Sequence, residues 1–180
     1  QTFENVEATG KRVLLALDVS GSMSMGTVGG VVGLTPRVAS TAMALVTAAT
    51  ERNHAIMGFS TKFMPLNISP RQRLDDVVKS MNNLPFGGTD CALPMVWALE
   101  KNLAFDAFIV YTDNETWFGK IHPVQALNEY RRKMGIAAKL IVVAMAGNKF
   151  SIADPNDAGM LDVVGFSTDT PNVMADFIRE

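Results

Sequence analysis

Four short apolar runs, each closed by polar residues, set the rhythm of the chain. Arg12 to Asp18, His54 to Ser60, Ala107 to Thr112 and Lys139 to Met145 are rich in aliphatic, β-branched and aromatic residues. Runs of this length predict strands, and their continuity predicts burial on both faces of a sheet. Met160 to Phe166 predicts a last strand, and Thr61 to Leu66 fits a short antiparallel edge strand, against which Pro65 weighs. Between the strands, helical patterns cover about Arg37 to Arg52, Leu74 to Asn83, Asp90 to Asn102 and His122 to Met134, and Pro171 to Glu180 closes the chain. This alternation predicts an α/β fold: a doubly wound, mostly parallel central sheet flanked by helices.

Composition narrows the class. With 180 residues and 48% hydrophobic content, the chain is long enough for one domain over residues 1–180, with no room for a second. No apolar run approaches the ~20 residues of a membrane helix. A chain that begins at Gln1 and carries no signal-peptide pattern reads as a piece of a larger protein. The Gly-rich stretch Gly26 to Gly33 reads as a mobile loop. One cysteine, Cys91, excludes an internal disulfide and a thiolate zinc cluster, and points to a reducing cytoplasmic or nuclear compartment. The formal net charge of −2 supplies no overall drive toward nucleic acid. RNA contact then requires a local basic patch or another domain.

Ligands of open α/β sheets bind beyond the carboxyl ends of the strands, and three polar clusters lie there. In the first, Asp18-Val19-Ser20-Gly21-Ser22, an extended path would point residues 18, 20 and 22 to one side. Gly87-Gly88-Thr89-Asp90 precedes a helix, and Thr112-Asp113-Asn114-Glu115 ends the third buried run. Asp18, Ser20, Ser22, Thr89 and Asp113 together form an all-oxygen set with two carboxylates. That set suits Mg²⁺, with Mn²⁺ or Ca²⁺ as alternatives, although calcium favours more carboxylates and zinc favours His or Cys. With so few protein charges, the cation would keep an open position for an acidic group of a ligand. The competing explanation is local: Asp18 and Ser20 terminate a strand, while Thr89 or Asp90 caps a helix.

Enzyme readings meet specific obstacles. The chain has no Gly-x-x-x-x-Gly-Lys-Ser/Thr phosphate loop, no Gly-x-Ser-x-Gly elbow and no dinucleotide glycine fingerprint. A haloacid-dehalogenase-type phosphatase would carry a second Asp two residues after Asp18, where Ser20 stands. Cys91 has no neighbouring His, and His54 and His122 form no metal pair. Glu115 reads as a group behind the metal ligands or a general base, and at least as readily as a solvated turn residue. Trp117 and Phe118 are either rim anchors of the metal face or packing under a loop. Arg131-Arg132-Lys133, with Lys139, reads as a phosphate contact or as a solvated helix end. Met43, Met57, Met64, Met81, Met95 and Met134 read as core filling.

The Asp-x-Ser-x-Ser motif at Asp18, Ser20 and Ser22, followed by Gly-Gly-Thr-Asp and Thr-Asp, resembles the von Willebrand factor A domain and its metal-ion-dependent adhesion site. The resemblance implies that Ser20, Ser22 and Thr89 coordinate directly, and Asp18 and Asp113 directly or through water. Longer strings are more specific: Gly87 to Met95, Phe108 to Thr116, and Ile152 to Asp162 resemble the A domain of the Ro autoantigen, or TROVE-domain, family. That resemblance covers nearly the whole chain. It implies a ribonucleoprotein that binds small noncoding Y RNAs and the ends of misfolded RNAs, mainly through a ring of helical repeats outside these residues. The expected function is cation-dependent ligand binding without catalysis, with an acidic protein group or phosphate at the metal and no membrane partner. The alternative is a metal-dependent adhesion domain unrelated to RNA.

Overall fold

The computed structural model describes residues 6–82, 88–113, 119–146 and 152–180. Six strands, β1 (Val13–Asp18), β2 (His54–Phe59), β3 (Phe63–Pro65), β4 (Ala107–Thr112), β5 (Lys139–Ala144) and β6 (Met160–Val164), form one sheet in the order β3-β2-β1-β4-β5-β6. All neighbours are parallel except β2 and β3, which run antiparallel at the edge. Pro65 is accommodated there because an edge strand has no partner on one side. The helices are α1 (Pro36–Thr50), α2 (Leu74–Met81), α3 (Leu93–Glu100), α4 (Pro123–Met134) and α5 (Thr170–Arg179).

Alternation along each strand divides the core into two layers. Val13, Leu15 and Leu17 of β1 pack with Met43 of α1, Val77 and Met81 of α2, and Met174 and Ile178 of α5. Leu14 and Ala16 face the other way, onto Met95 of α3 and Leu127 and Tyr130 of α4. Every residue of β1 and β4 is buried, as their uninterrupted apolar runs require. Met43, Met57, Met81 and Met95 are buried and Met64 and Met134 half-buried, so these methionines fill gaps in the core.

Local chemistry sets the ends. Thr35 caps α1 by accepting the Val38 N–H, with Pro36 at the first helical position. His122 Nδ1 accepts the Val124 N–H at 3.2 Å, which makes His122 the cap of α4. At the other end Gly135, with φ 67°, terminates that helix in the left-handed conformation. His54 Nδ1 lies 2.6 Å from the Glu51 carbonyl oxygen, another local structural role. The helix expected from Asp90 begins at Leu93, because the Asp90 carboxylate turns back to accept the Ala92 N–H. Asn83, at the expected end of α2, falls outside the described residues. The Gly26 to Gly33 stretch is turned on itself rather than extended: Val28 N–H donates to Leu34 C=O, Val31 N–H to Val28 C=O, and the buried Val28 side chain joins the first core layer.

At the opposite edge from the strand C-termini, Arg12 ties the start of β1 to the start of β4. Its Nε and backbone N–H both donate to Asp106 Oδ2 at 2.9 Å, and Nη2 donates to Oδ1 at 2.7 Å. The hydrogen bonds from Arg12 hold the Asp106 carboxyl below its ordinary range. A lowered folded-state pKa gives stability that is present above the unfolded value and lost as pH falls through the folded one. Asp106→Asn should therefore cost up to about 1 kcal/mol in urea denaturation at pH 7, a modest figure because Arg12 is half exposed. The difference from the parent chain should shrink as the pH falls below about 4.

Candidate metal centre

The order β3-β2-β1-β4-β5-β6 reverses direction between β1 and β4, since β2 and β4 flank β1 on opposite sides. Crossovers leave opposite faces at this point and open a crevice beyond the strand ends. Asp18 ends β1 at that crevice, and Asp113 directly follows β4.

Asp18 is fully buried and acts as the hub. Its Oδ1 accepts the Ser20 N–H at 2.8 Å; its Oδ2 accepts the Thr112 hydroxyl at 2.9 Å and the Thr89 hydroxyl at 3.4 Å. Ser20 Oγ and Ser22 Oγ lie 3.0 Å apart. Thr112 also reaches Asp113, with Thr112 Oγ1 3.5 Å from Asp113 Oδ1. The five residues singled out in sequence thus form one connected group of oxygens. Burial increases inward, from exposed Ser22 through half-buried Thr89 and Asp113 to buried Ser20 and Asp18. Such a gradient gives one open side.

The path of the first loop differs from the extended one expected. Ser20 is extended, with φ −62° and ψ 158°, but Gly21–Ser24 forms a single 3₁₀ turn. Met23 N–H donates to the Ser20 carbonyl, and the Met23 side chain is fully buried. Anchoring that side chain bends the loop, and the bend rather than strand alternation brings the Ser20 and Ser22 hydroxyls together.

Two further residues belong to the group. Thr112 donates to Asp18 from the last position of β4. Arg37 lies in the first turn of α1 and is 2% exposed. Its Nη2 donates to the carbonyls of Ser20 at 3.2 Å and Val19 at 3.4 Å, while Nη1 donates to Asn82 Oδ1 at 2.7 Å. Its Nε makes no hydrogen bond among the described residues. A cation in the first turn of a helix opposes the helix dipole, and that oddity in an otherwise uncharged helix was a signal for a partner nearby.

Burial raises the Asp18 carboxyl above its ordinary range, opposed by its hydrogen bonds and reinforced by the negative charge of Asp113. A buried carboxylate with a second one beside it favours a cation in the open side. Among the described residues no three His, Cys, Asp or Glu side chains gather as a metal cluster, and the oxygens beside the two carboxylates are hydroxyls. Two carboxylates and three hydroxyls fit a hard, oxygen-seeking dication. The Cys91 thiol is pushed well above its ordinary range, first by burial and then by Asp18, Asp90 and Asp113, which keeps it protonated and poorly nucleophilic. Gly87, Asn114, Glu115, Thr116, Trp117 and Phe118 lie outside the described residues.

Arg131 and Lys133 of the basic run, and Lys139 beyond it, have partners within the domain. Arg131 pairs with Asp157 and donates from Nε to the Ala138 carbonyl at 2.7 Å. Lys133 pairs with Glu129, and Lys139 Nζ donates to the Phe177 carbonyl. These partners support the structural explanation of Arg131, Lys133 and Lys139.

The doubly wound sheet with its single antiparallel edge strand is that of a von Willebrand factor A-type domain. The family model described as the Ro60 vWA domain matches residues 12–178. The chain is 52% identical over 177 residues to the RNA-binding protein RO60 of Deinococcus radiodurans, covering 98% of this chain and 33% of that protein. It is 46% identical over 179 residues to the RNA-binding protein RO60 of Caenorhabditis elegans, covering 99% of this chain and 28% of that protein. The crystal structure of the Deinococcus radiodurans RO (RSR) protein superposes with a TM-score of 0.89 at 53% identity, over 98% of this chain and 36% of that one. The chain therefore belongs to the Ro60 von Willebrand factor A domain family. It spans about a third of the length of the relatives it matches.

Arg37 bridges the loop that follows β1 and the end of α2. Arg37→Met should leave the Val19 and Ser20 carbonyls and the Asn82 amide short of partners, costing about 1–3 kcal/mol in urea denaturation. Arg37→Lys, which keeps the charge and loses the fork, should recover only part of that stability.

Proposed function

We propose that this domain is the cation-dependent docking module of a Ro-type RNA-binding protein. Asp18, Ser20, Ser22, Thr89 and Asp113 hold a divalent cation, Mg²⁺ in the first place and Mn²⁺ or Ca²⁺ as substitutes. The observation that carries this reading is the convergence of three separated segments on the buried Asp18 carboxylate, with exposed Ser22 at the open end. When bound, the cation supplies a Lewis-acidic point for a carboxylate or phosphate oxygen of the ligand.

The two carboxylates balance the charge of a dication without exceeding it, so an anionic ligand meets no net negative field from the first ring of residues. The hydroxyls of Ser20, Ser22 and Thr89 contribute oxygens without charge. Asp18 is oriented before any ligand arrives, because Thr112 and the Ser20 N–H already engage its two oxygens. Pre-orientation lowers the ordering cost of binding.

Docking rather than catalysis fits these groups: the buried thiol is kept protonated, and His54 and His122 serve the backbone around them. Family membership favours this reading over an adhesion domain unrelated to RNA. With a net charge of −2 and much of its basic run internally paired, the domain leaves recognition of noncoding RNA to the rest of the longer protein. A single buried cysteine accords with a cytoplasmic, or also nuclear, setting. Among the described residues no helix is long and apolar enough to cross a membrane.

Calorimetric titration tests the site. Mn²⁺ should bind the parent chain, and its affinity should fall at least about tenfold in Asp113→Ala and in the Ser20→Ala/Ser22→Ala double variant, a loss of about 1.4 kcal/mol or more. Unchanged affinity in folded variants contradicts the assignment of these ligands.

A further inference from the structure

A buried charge beside the oxygen group belongs to none of the proposed cation ligands. Arg37 makes all three of its hydrogen bonds to neutral oxygens: the carbonyls of Ser20 and Val19 at 3.2 and 3.4 Å, and the Asn82 side chain at 2.7 Å. The opposing charge comes through space, from Asp18. A guanidinium is a rigid planar fork, so the position of one bonded group constrains the other. The two arms of this fork reach different segments, the loop that follows β1 and the end of α2.

On the loop side the constraint falls on the backbone that presents two hydroxyls. Ser20 donates its N–H to Asp18 Oδ1 at 2.8 Å, and its Oγ lies 3.0 Å from that of Ser22. Its carbonyl accepts from both the Met23 N–H and Arg37. Val19 donates its N–H to the Phe59 carbonyl at 2.9 Å, which leaves its own carbonyl to Arg37. Arg37 thus holds the carbonyl side of a segment whose N–H groups are held by Asp18 and Phe59, and a shift of the guanidinium carries the Ser20 and Ser22 hydroxyls with it.

On the helix side the fork meets a lightly anchored element. α2 has eight residues, of which Val77 and Met81 are buried in the first core layer. Asp75, Asp76, Lys79 and Ser80 are exposed, and no side chain caps the first turn. Helices this short are marginal by themselves, and elements with few buried contacts open at low free energy. α2 therefore depends on tertiary anchors, among them the Asn82 bond to Arg37 and the contact of Met81 Sδ with Thr41 Oγ1 at 3.5 Å. Thr89, another of the five oxygen-bearing residues, follows Asn82 by seven positions in the chain.

We infer that Arg37 is a positioning residue for the cation and that, through Asn82, it couples cation binding to the docking of α2. The inference rests on the cation reading above and adds the regulation of that site. Displacing α2 withdraws Asn82 from the fork, frees the guanidinium and loosens the Ser20 and Ser22 hydroxyls. Binding the cation fixes those hydroxyls, holds the fork in place and tightens α2. The two effects are equal in size, because a coupling free energy between two sites is reciprocal.

Calorimetric titration with Mn²⁺ of the parent chain, Asn82→Ala, Arg37→Lys, their double variant and Asp106→Asn tests the coupling. Asn82 is exposed and is not among the proposed cation ligands, yet Asn82→Ala should lower Mn²⁺ affinity at least about fivefold. Arg37→Lys, which keeps the charge and loses the fork, should lower it similarly, and the double variant should lose no more than the larger of the two. Asn82→Asp, which keeps an acceptor for Nη1, should bind at least as tightly as the parent. Asp106→Asn loosens the opposite end of the sheet and should bind like the parent, which separates positioning from a general loss of stability. Reciprocally, Mn²⁺ should raise the hydrogen-exchange protection of residues 77–82 in the parent and not in Asn82→Ala. Parent-like affinity in Asn82→Ala, additive losses in the double variant, or an equal loss in Asp106→Asn overturns the inference. A parent chain that takes up no Mn²⁺ overturns the cation reading and this inference with it, whereas normal uptake with an indifferent Asn82→Ala overturns this inference alone.

Discussion

Placing one carboxylate, Asp18, out of water at the end of the central strand is the constraint around which this domain is arranged. Taking such a group from solvent is costly unless its oxygens are engaged, and here each oxygen has a donor from a different part of the chain. Those donors exist only because β1 and β4 are adjacent and parallel, and because the loop after β1 turns back on itself. The fold and the site are thus one problem in packing. A sheet in which β1 and β4 were not neighbours, or with β4 shifted in register, would leave Asp18 without Thr112.

Arg37 extends this arrangement below the surface. It donates to the carbonyls that immediately follow Asp18 and to Asn82 at the end of α2, so the helices on one face of the sheet are tied to the loop after β1. Burial lowers the pKa of the guanidinium, and the charge of Asp18 opposes that lowering. A buried guanidinium bound to backbone carbonyls holds the loop in place while leaving both carboxylates available to a cation. The opposite end of the sheet is secured differently, by exposed or half-exposed pairs such as Arg12–Asp106 and Arg131–Asp157, which close the strand entries without contributing to the site.

Much of this was legible from residue order. Uninterrupted apolar runs in β1 and β4 identified central parallel strands because a strand covered on both faces has no solvent side to mark with polar residues. The five oxygen-bearing residues stood out because hydroxyls and carboxylates clustered where buried runs ended. The 3₁₀ turn at Gly21–Ser24 was not legible, since it depends on where Met23 finds a cavity in the folded core. Thr112 read as the end of a strand, and its bond to Asp18 spans 94 residues of sequence, a separation that local pattern does not report. Arg37 left a weaker trace, a cation at the positive end of an otherwise uncharged helix. The structural role of Arg131 shows only in its partners, Asp157 and the Ala138 carbonyl, which lie beyond the helix in sequence.

The central claim is that three separated segments are held together to bind one divalent cation. A crystal structure of the chain grown in saturating Mn²⁺, with data collected at the manganese absorption edge, tests it most directly. The account predicts a single strong anomalous peak in the crevice between the ends of β1 and β4, ligated by the Ser20 and Ser22 hydroxyls, with Thr89, Asp18 and Asp113 in contact directly or through water. No peak there at saturating Mn²⁺, or a peak held by other residues, would contradict it.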